Sequence, residues 1–254
     1  MISKLLRISN SLRYPLFSFI YNMYAKRKLK RLKNKVNGES ILIVGNGPSL
    51  KKTPLDQFNC FSIGMNKINL LFESSIWRPD IILCNNGLVM QQNKSFFKNT
   101  SLMVLLGIKA FFLGIKSKNI FYFNEHPKSE FSKQFDNYSG TAGTVTFTAL
   151  QFAYYLGAKK IVLVGIDHSF KGFDNSNVPT IEKFEGDDHN HFHPEYFKGK
   201  KWGTPNLGLS EKGYSLAYNF FKENNIQIFD ATVNGKLNIF PKISINEALK
   251  ILNK

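Results

Sequence analysis

From residue 40 onward the apolar residues come in short unbroken runs separated by polar turns. The runs are 41–45 (ILIVG), 61–65 (FSIGM), 81–84 (IILC), 101–106 (SLMVLL), 119–123 (NIFYF), 160–166 (KIVLVGI) and 226–229 (IQIF). They lack the apolar–polar alternation of a half-exposed strand and are short for helices, so they predict strands covered on both faces, as in a parallel sheet. Helical stretches fall between several of them. One spans 144–156 (TVTFTALQFAYYL) with Gly157 as its C-cap, and another spans 210–224, starting at Ser210 with Gly213 as a weak spot. A last one is the C-terminal SINEALKILNK, where Ser244 stands ahead of Glu247 in a capping-box arrangement. Strands alternating with helices predict an α/β fold: a single Rossmann-like, doubly wound, mostly parallel sheet with helices on both faces. A long polar loop, about 168–206, interrupts it.

In such a sheet ligands bind beyond the carboxyl ends of the strands, and those ends carry a pattern. The first run ends in Gly45-Asn46-Gly47-Pro48-Ser49, the second in Asn66, the third in Asn85-Asn86-Gly87, the fifth in Asn124-Glu125 and the sixth in Asp167-His168. Any one of these asparagines reads as an ordinary turn residue. Their coincidence at one edge points to a ligand. Glycine lets backbone approach closely and leaves N–H groups unobstructed, which suits a phosphate or a nucleotide sugar. The turn is neither G-x-x-x-x-G-K-[ST] nor G-x-G-x-x-G. Asp167 reads equally as a buried cap on the strand-to-loop turn.

Residues 165–205 hold four of the five histidines (His168, His189, His191, His193) together with Asp167, Asp187, Asp188, Lys198, Lys200 and Lys201. A polar loop of about 40 residues is uncommon in a compact domain unless it is functional or disordered. The H-x-H-x-H run invites a metal reading, which is the weaker one because alternate residues of an extended segment face opposite ways and no second cluster supplies further ligands. One histidine as general base is the better use, since an ordinary imidazole accepts a hydroxyl proton near neutral pH. Tyr196 and nearby lysines, Lys198 among them, would stabilise a phosphate leaving group.

Composition changes the picture mainly at the N-terminus. A chain of 254 residues with 43% apolar and 14% aromatic residues can bury one sizeable core. Its net charge is +16, and ten Lys and Arg against the single acid Glu39 place nine of those charges in the first 40 residues. Leu5, Leu6, Ile8, Leu12, Leu16, Phe17, Phe19, Ile20, Met23 and Tyr24 precede the block AKRKLKRLKNK. That order suits a helix lying on an anionic membrane surface, each Lys or Arg near the headgroups contributing about 1 kcal/mol. Residues 1–38 are therefore read as a basic amphipathic membrane-associating arm and 39–254 as the catalytic domain. The other reading of the arm is a helix packed on the domain with a solvated basic end. Nucleic acid is not an expected partner, since the block has no interleaved aromatics. Cys60 and Cys84 lie in apolar runs without metal spacing and read as free thiols of a reducing compartment. No clean secretory signal and no uninterrupted apolar stretch of about 18 residues is present. The expected location is cytoplasmic, peripheral on the inner face of the cytoplasmic membrane.

The stretches GNGPSL, CNNG, GTVTFTALQFAYYLGAKKIVLVGIDHSF and HNHFHPEYF with KKWGTPN and ATVNGKLNIFP together resemble a bacterial family of sialyltransferase-like glycosyltransferases of surface polysaccharide synthesis. That family is related to the motility-associated-factor flagellin glycosyltransferases and similar to archaeal 6-hydroxymethylpterin diphosphokinase. More distantly the chain is similar to the family 42 sialyltransferases, which are metal-independent inverting enzymes using CMP-activated sialic acid. The resemblance covers about residues 40–241. It implies transfer of a sialic-acid-like or Kdo-like sugar from a CMP-sugar donor to a surface glycan or glycolipid, as in lipopolysaccharide or capsule synthesis. It implies no cofactor and no metal, and leaves room for a homo-oligomer. For the donor it implies Gly45, Asn46, Gly47, Ser49, Asn66, Asn85 and Asn86, with Thr141, Gly143, Asp167 and His168. For the base it implies His189, His191 or His193, with His191 and His193 favoured. Where family 42 has tyrosines that assist the phosphate, Phe170 and Phe173 stand here, and Tyr196 or Lys198 would substitute. Two further readings stay open: a Mg²⁺-dependent diphosphokinase-like transferase using ATP, with Asp167, Asp187 and Asp188 as its carboxylates, and a non-catalytic nucleotide-sugar-binding assembly protein.

Overall fold

The computed structural model describes residues 10–172 and 180–253, with side chains from Tyr14 onward. Leu5, Leu6, Arg7 and Ile8 of the arm and Phe173 of the loop lie outside the described residues.

All seven apolar runs form strands: β1 (Ser40–Val44), β2 (Phe61–Met65), β3 (Ile81–Cys84), β4 (Met103–Gly107), β5 (Ile120–Phe123), β6 (Lys160–Val164) and β7 (Gln227–Asp230). They make one sheet in the order β7-β6-β1-β2-β3-β4-β5, with every neighbouring pair parallel. Successive strand residues point to opposite faces, and both faces are apolar. Ile41, Ile43, Ile161 and Leu163 belong to one core cluster, and Leu42, Val44, Val162 and Val164 to the other. This is the Rossmann-like doubly wound arrangement the alternating pattern predicts.

The first face is covered by residues of the N-terminal helix α1 (Asn10–Tyr24) and the segment after it, and by α2 (Val145–Tyr155) and α3 (Leu207–Glu223). The second is covered by α4 (Ile245–Leu252), by Val89 and Met90, and by Phe192, Tyr196, Phe197 and Trp202 of the histidine-rich loop. The loop is thus partly core. Its aromatic residues bury apolar area that a mobile surface loop would leave exposed.

Local chemistry sets the helix ends. The Thr144 side chain accepts from the Thr146 N–H at the start of α2, and Gly157 follows its end at φ +88, where only glycine sits without strain. Helix α3 begins at Leu207, earlier than the expected Ser210, because Asn206 caps it by accepting from the Leu209 N–H. Gly213 is no defect there: an added Cβ would overlap the Cβ of Ala142 and stand 3.2 Å from the Phe147 ring, so glycine is what lets α3 close on α2. The capping box of α4 is present as the sequence predicts, with Ser244 and Glu247 each satisfying the other's backbone N–H.

The arm packs on the domain by one face. Tyr21, Ala25, Leu29, Leu32 and Val36 are buried in the same core as α2 and α3. The Tyr21 hydroxyl donates to the Asp136 carbonyl at 2.7 Å, and Phe17 stacks on Phe112 at 4.5 Å. Lys28 Nζ donates to the carbonyls of Lys118 and Ile120, satisfying acceptors on the open edge of β5. Phe19, Met23 and Tyr24 stay outside, each more than half exposed. Among the described residues no helix is long and apolar enough to cross a membrane.

The sheet reverses its winding between β1 and β6, and there the two strand ends touch through bare backbone. The N–H of Gly45 donates to the Val164 carbonyl at 2.8 Å and that of Gly47 to the Gly165 carbonyl at 2.9 Å. A Cβ on Gly45 would overlap the Gly165 carbonyl, and one on Gly47 the Asp167 carboxylate. Gly47→Ala is therefore expected to cost about 1–3 kcal/mol through overpacking, read as a lower urea midpoint at unchanged slope; an unchanged midpoint would show that the Asp167 loop yields freely.

Candidate functional site

A cavity of about 510 Å³ opens at the carboxyl ends of the strands, over the point where the winding reverses. Of the residues singled out in the sequence, Gly45, Asn46, Gly47, Asn66, Asn85, Asn86, Thr141, Gly143, Asp167, His168, His191 and Tyr196 line it. Ser49, His189, His193 and Lys198 do not.

The asparagines do different things. Asn46 Nδ2 donates to the Met65 carbonyl at 3.0 Å, tying β1 to the end of β2. Asn85 Nδ2 donates to Thr148 Oγ1 at 3.2 Å, tying β3 to α2, while Asn86 is an N-cap that accepts from the N–H groups of Leu88 and Val89. Asn66 sits at φ +53, a conformation asparagine tolerates better than most residues. The Oδ1 atoms of Asn46 and Asn66 are buried without a hydrogen-bond partner among the described residues. Each such acceptor costs about 1–3 kcal/mol, and unsatisfied groups of this kind call for an explanation at a functional site.

Asp167 behaves as a cap. Its carboxylate accepts from the Ser49 N–H at 3.0 Å and from the Ser49 hydroxyl at 2.6 Å. Burial pushes its pKa up, against the downward pull of those two bonds. Ser49 is thereby spent on Asp167 and turned away from the cavity. The strand-end backbone is also held from below: Ile166 N–H donates to Thr232 Oγ1, and Lys236 N–H to the Asp167 carbonyl.

His168, at φ +52, places Nε2 2.9 Å from Glu211 on α3. His191 is the histidine best placed for proton transfer. Its Nδ1 lies 2.8 Å from Oδ2 of Asp188, whose side chain is fully buried, and its ring stacks on Tyr196 at 4.0 Å with the planes 5° apart. Asp188 Oδ1 accepts from the Asn190 N–H as well, so the carboxylate is fixed at both oxygens. A carboxylate on Nδ1 assigns the proton to that nitrogen and leaves Nε2 as an acceptor. His189 is exposed; His193 accepts from the Glu195 N–H at 3.2 Å, and Lys198 pairs with Asp187 at 2.8 Å in solvent.

Tyr196 is a support. It is fully buried, its hydroxyl accepts from the Lys67 N–H at 3.3 Å, and burial pushes its pKa above the ordinary value, so it stays neutral. Sequence reasoning missed Lys67, whose Nζ donates to the Tyr196 carbonyl and to Gln92 Oε1 and lies 4.4 Å from the centre of the Phe197 ring. It also missed Asp188 as the partner of a histidine, although the three-residue spacing to His191 was the available signal. Lys109, Glu125, Thr144, Trp202 and Tyr214 complete much of the wall.

The cavity has little formal positive charge: among the described residues lining it, Lys109 is the single Lys or Arg and is offset by Glu125. Backbone adds partial positive charge. Gly143, Thr144, Val145 and Thr146 at the start of α2, and Leu207 and Ser210 at the start of α3, all face it, so two helix N-termini converge on one space. Among the described residues no group of three His, Cys, Asp or Glu is placed to hold a metal ion.

Fold and site together define a doubly wound α/β protein with a ligand cavity at the switch point of its sheet. The family model described as 6-hydroxymethylpterin diphosphokinase MptE-like matches residues 17–173, and the chain belongs to this MptE-like family. No curated protein matches the sequence. Similar solved structures include the sialyltransferase CstII from Campylobacter jejuni with cytidine-5'-monophosphate, at 18% identity over 82% of this chain and 86% of that one with a TM-score of 0.46. Another is CstII with CMP-3FNeuAc, at 15% identity over 81% and 86% with a TM-score of 0.44.

The buried lysine has a measurable consequence. Burial pushes Lys67 down to about 7, with the nearby Lys200 charge adding to the effect, while its two oxygen acceptors favour the charged form. A lysine depressed in the folded state holds fewer protons there than when unfolded, so stability rises with pH from about 7. Above pH 9 Cys60 and Cys84, both pushed up to about 12 by burial, act in the opposite sense. Between pH 7 and 8.5 the unfolding free energy is expected to rise by at most about 2 kcal/mol, read as a higher urea midpoint, and Lys67→Met to flatten that rise.

Proposed function

We propose that this protein is a metal-independent inverting glycosyltransferase that moves a sialic-acid-like or Kdo-like sugar from a CMP-sugar donor to a surface glycan or glycolipid. The observation that carries the reading is the buried Asp188–His191 pair in the wall of a cavity onto which two helix N-termini open. In this reading Nε2 of His191 takes the proton of an acceptor hydroxyl. The hydroxyl oxygen attacks the anomeric carbon from the face opposite the nucleotide, that carbon's bond to the phosphate oxygen breaks with its electron pair, and CMP leaves with inverted configuration at the sugar. The phosphate charge is met by the N-terminal ends of α2 and α3 and the hydroxyls of Thr144 and Tyr214, which lie 3.3 Å apart. Asn46 and Asn66 would offer their unpaired oxygens to hydroxyl or amino hydrogens of the donor.

The competing reading, Mg²⁺-dependent diphosphate transfer from ATP, takes its support from the family's description. The three carboxylates it needs do not form a site: Asp167 is committed to Ser49, Asp188 to His191 and Asn190, and Asp187 to Lys198 in solvent. Thermal stabilisation by CMP that survives EDTA is the expected result, against an ATP shift abolished by EDTA for the rival. His191→Ala is expected to lower transfer from the CMP-sugar by about 10²–10⁴-fold, the usual contribution of a general base, with CMP binding kept. Unchanged turnover in that variant would remove the mechanism, and CMP-sugar binding without any turnover in the wild type would leave the non-catalytic assembly protein.

The reading extends to a location on the inner face of the cytoplasmic membrane. Phe19 and Met23 share one outward face of α1 at helical spacing, with Tyr24 beside them; Arg27, Lys30 and Arg31 are exposed just beyond. Lys116, 4.0 Å from the centre of the Phe111 ring that stacks on Tyr24, adds a further cation to the patch. An apolar stripe running into a basic one fits an anionic lipid surface. Co-sedimentation with phosphatidylglycerol vesicles is expected to exceed that with phosphatidylcholine and to fall at least tenfold in Phe19→Ser/Met23→Ser; equal binding to both lipids would sink the idea.

A further inference from the structure

At the far side of the cavity from the glycine turn, the ends of β3, β4 and β5 bring Asn85, Lys109 and Glu125 to its wall. Three strand spacings, from β1 to β4, separate the glycine turn from the Lys109 end, about 14 Å at the usual spacing. Lys109 Nζ approaches the Glu125 carboxylate at 3.1 and 3.4 Å, a loose pair, and both side chains are only partly covered, at 29% and 19% exposure. The backbone makes room for this pair. Gly107 lies against it so closely that a Cβ there would stand 2.5 Å from Glu125 Oε2 and 3.4 Å from the Lys109 side chain. No other Lys or Arg among the described residues lines the cavity.

A half-buried Lys–Glu pair gains little net stability, its attraction being offset by desolvation, so its placement in a ligand cavity, with glycine cleared beside it, asks for a use. A lysine ammonium has three N–H donors, and one carboxylate held at these distances leaves donors for a second anion. We propose that Lys109 is a carboxylate-reading subsite for the acidic group of a sugar in this cavity. Glu125 holds the ammonium in position while the cavity is empty and offers its oxygens to a neighbouring sugar hydroxyl or amide N–H when the carboxylate arrives. The pair would thus select acidic over neutral sugars, because a neutral sugar gives the ammonium no charge in exchange for its desolvation. This deepens the glycosyl-transfer reading and rests on it for the identity of the donor, but the subsite itself is a property of the cavity.

Three probes on the intact chain separate the two: CMP, free N-acetylneuraminic acid and CMP-N-acetylneuraminic acid, each titrated by calorimetry into wild type, Lys109→Met, Lys109→Arg and Glu125→Gln. In the expected result Lys109→Met keeps CMP affinity within about twofold and its melting temperature near wild type, loses at least tenfold for the CMP-linked acid, and is largely rescued in Lys109→Arg. Equal losses for CMP and the CMP-linked acid would make Lys109 a structural group and overturn the subsite, as would equal affinity in wild type and Lys109→Met. Wild-type binding of CMP without any acid sugar also overturns it. Lys109-dependent binding of the free acid sugar in a protein indifferent to CMP would keep the subsite and overturn the CMP-donor reading instead. Binding of none of the three overturns both. A titration of an acidic and a neutral oligosaccharide at saturating CMP then tells whether the carboxylate belongs to donor or acceptor.

Discussion

The contact of the β1 and β6 ends through bare backbone is the constraint on which the site depends. Gly47 N–H reaches the Gly165 carbonyl because neither residue carries a side chain, and the same closeness puts the Asp167 carboxylate over Ser49. With that turn fixed, Asn46 is held between two partners: its side chain reaches the Met65 carbonyl, and its own carbonyl accepts from the Phe192 N–H at 2.9 Å. Phe192 is the neighbour of His191. The glycine turn is thereby tied to the histidine-rich loop by a backbone hydrogen bond, from the Phe192 N–H to the Asn46 carbonyl.

The bare backbone after β1 reads at first as a cradle for a phosphate. Its N–H groups have other work: those of Gly45, Gly47 and Ser49 all go to protein acceptors. Partial positive charge is offered instead by α2 and α3, whose first turns line the cavity. What the first turn contributes is shape and the amide of Asn46.

The fold was legible because both-face burial leaves an unmistakable trace: continuous apolar runs such as ILIVG and IVLVG cannot face water on either side, and these two became neighbouring central strands. Caps were legible where the chemistry is local, as at Ser244 and Glu247, and less so at α3, where Asn206 moved the start ahead of Ser210. The site was legible as a set of strand ends but not as a set of roles. Nothing in the alternation of HNHFH says which histidine meets a buried carboxylate, since that depends on the Asp188 turn closing back through Asn190. Tyr196 illustrates the opposite error. A tyrosine in a histidine loop reads as polar chemistry, yet here it is a core residue that holds the loop against Lys67, a fact set by packing between segments 129 residues apart.

That packing bears on motion. The loop that carries His191 sits on the sheet through Phe192, Tyr196, Phe197 and Trp202, all buried in the second core cluster. A flap that opens and closes over its ligand is drawn from weakly held chain with few apolar contacts, and this segment is the reverse of that. Those buried side chains anchor the segment around His191, so a ligand has to enter by another route than lifting that histidine away. His191, in other words, is a fixture of the globule, and whatever moves when the cavity fills is the ligand or the parts of the rim that bury less.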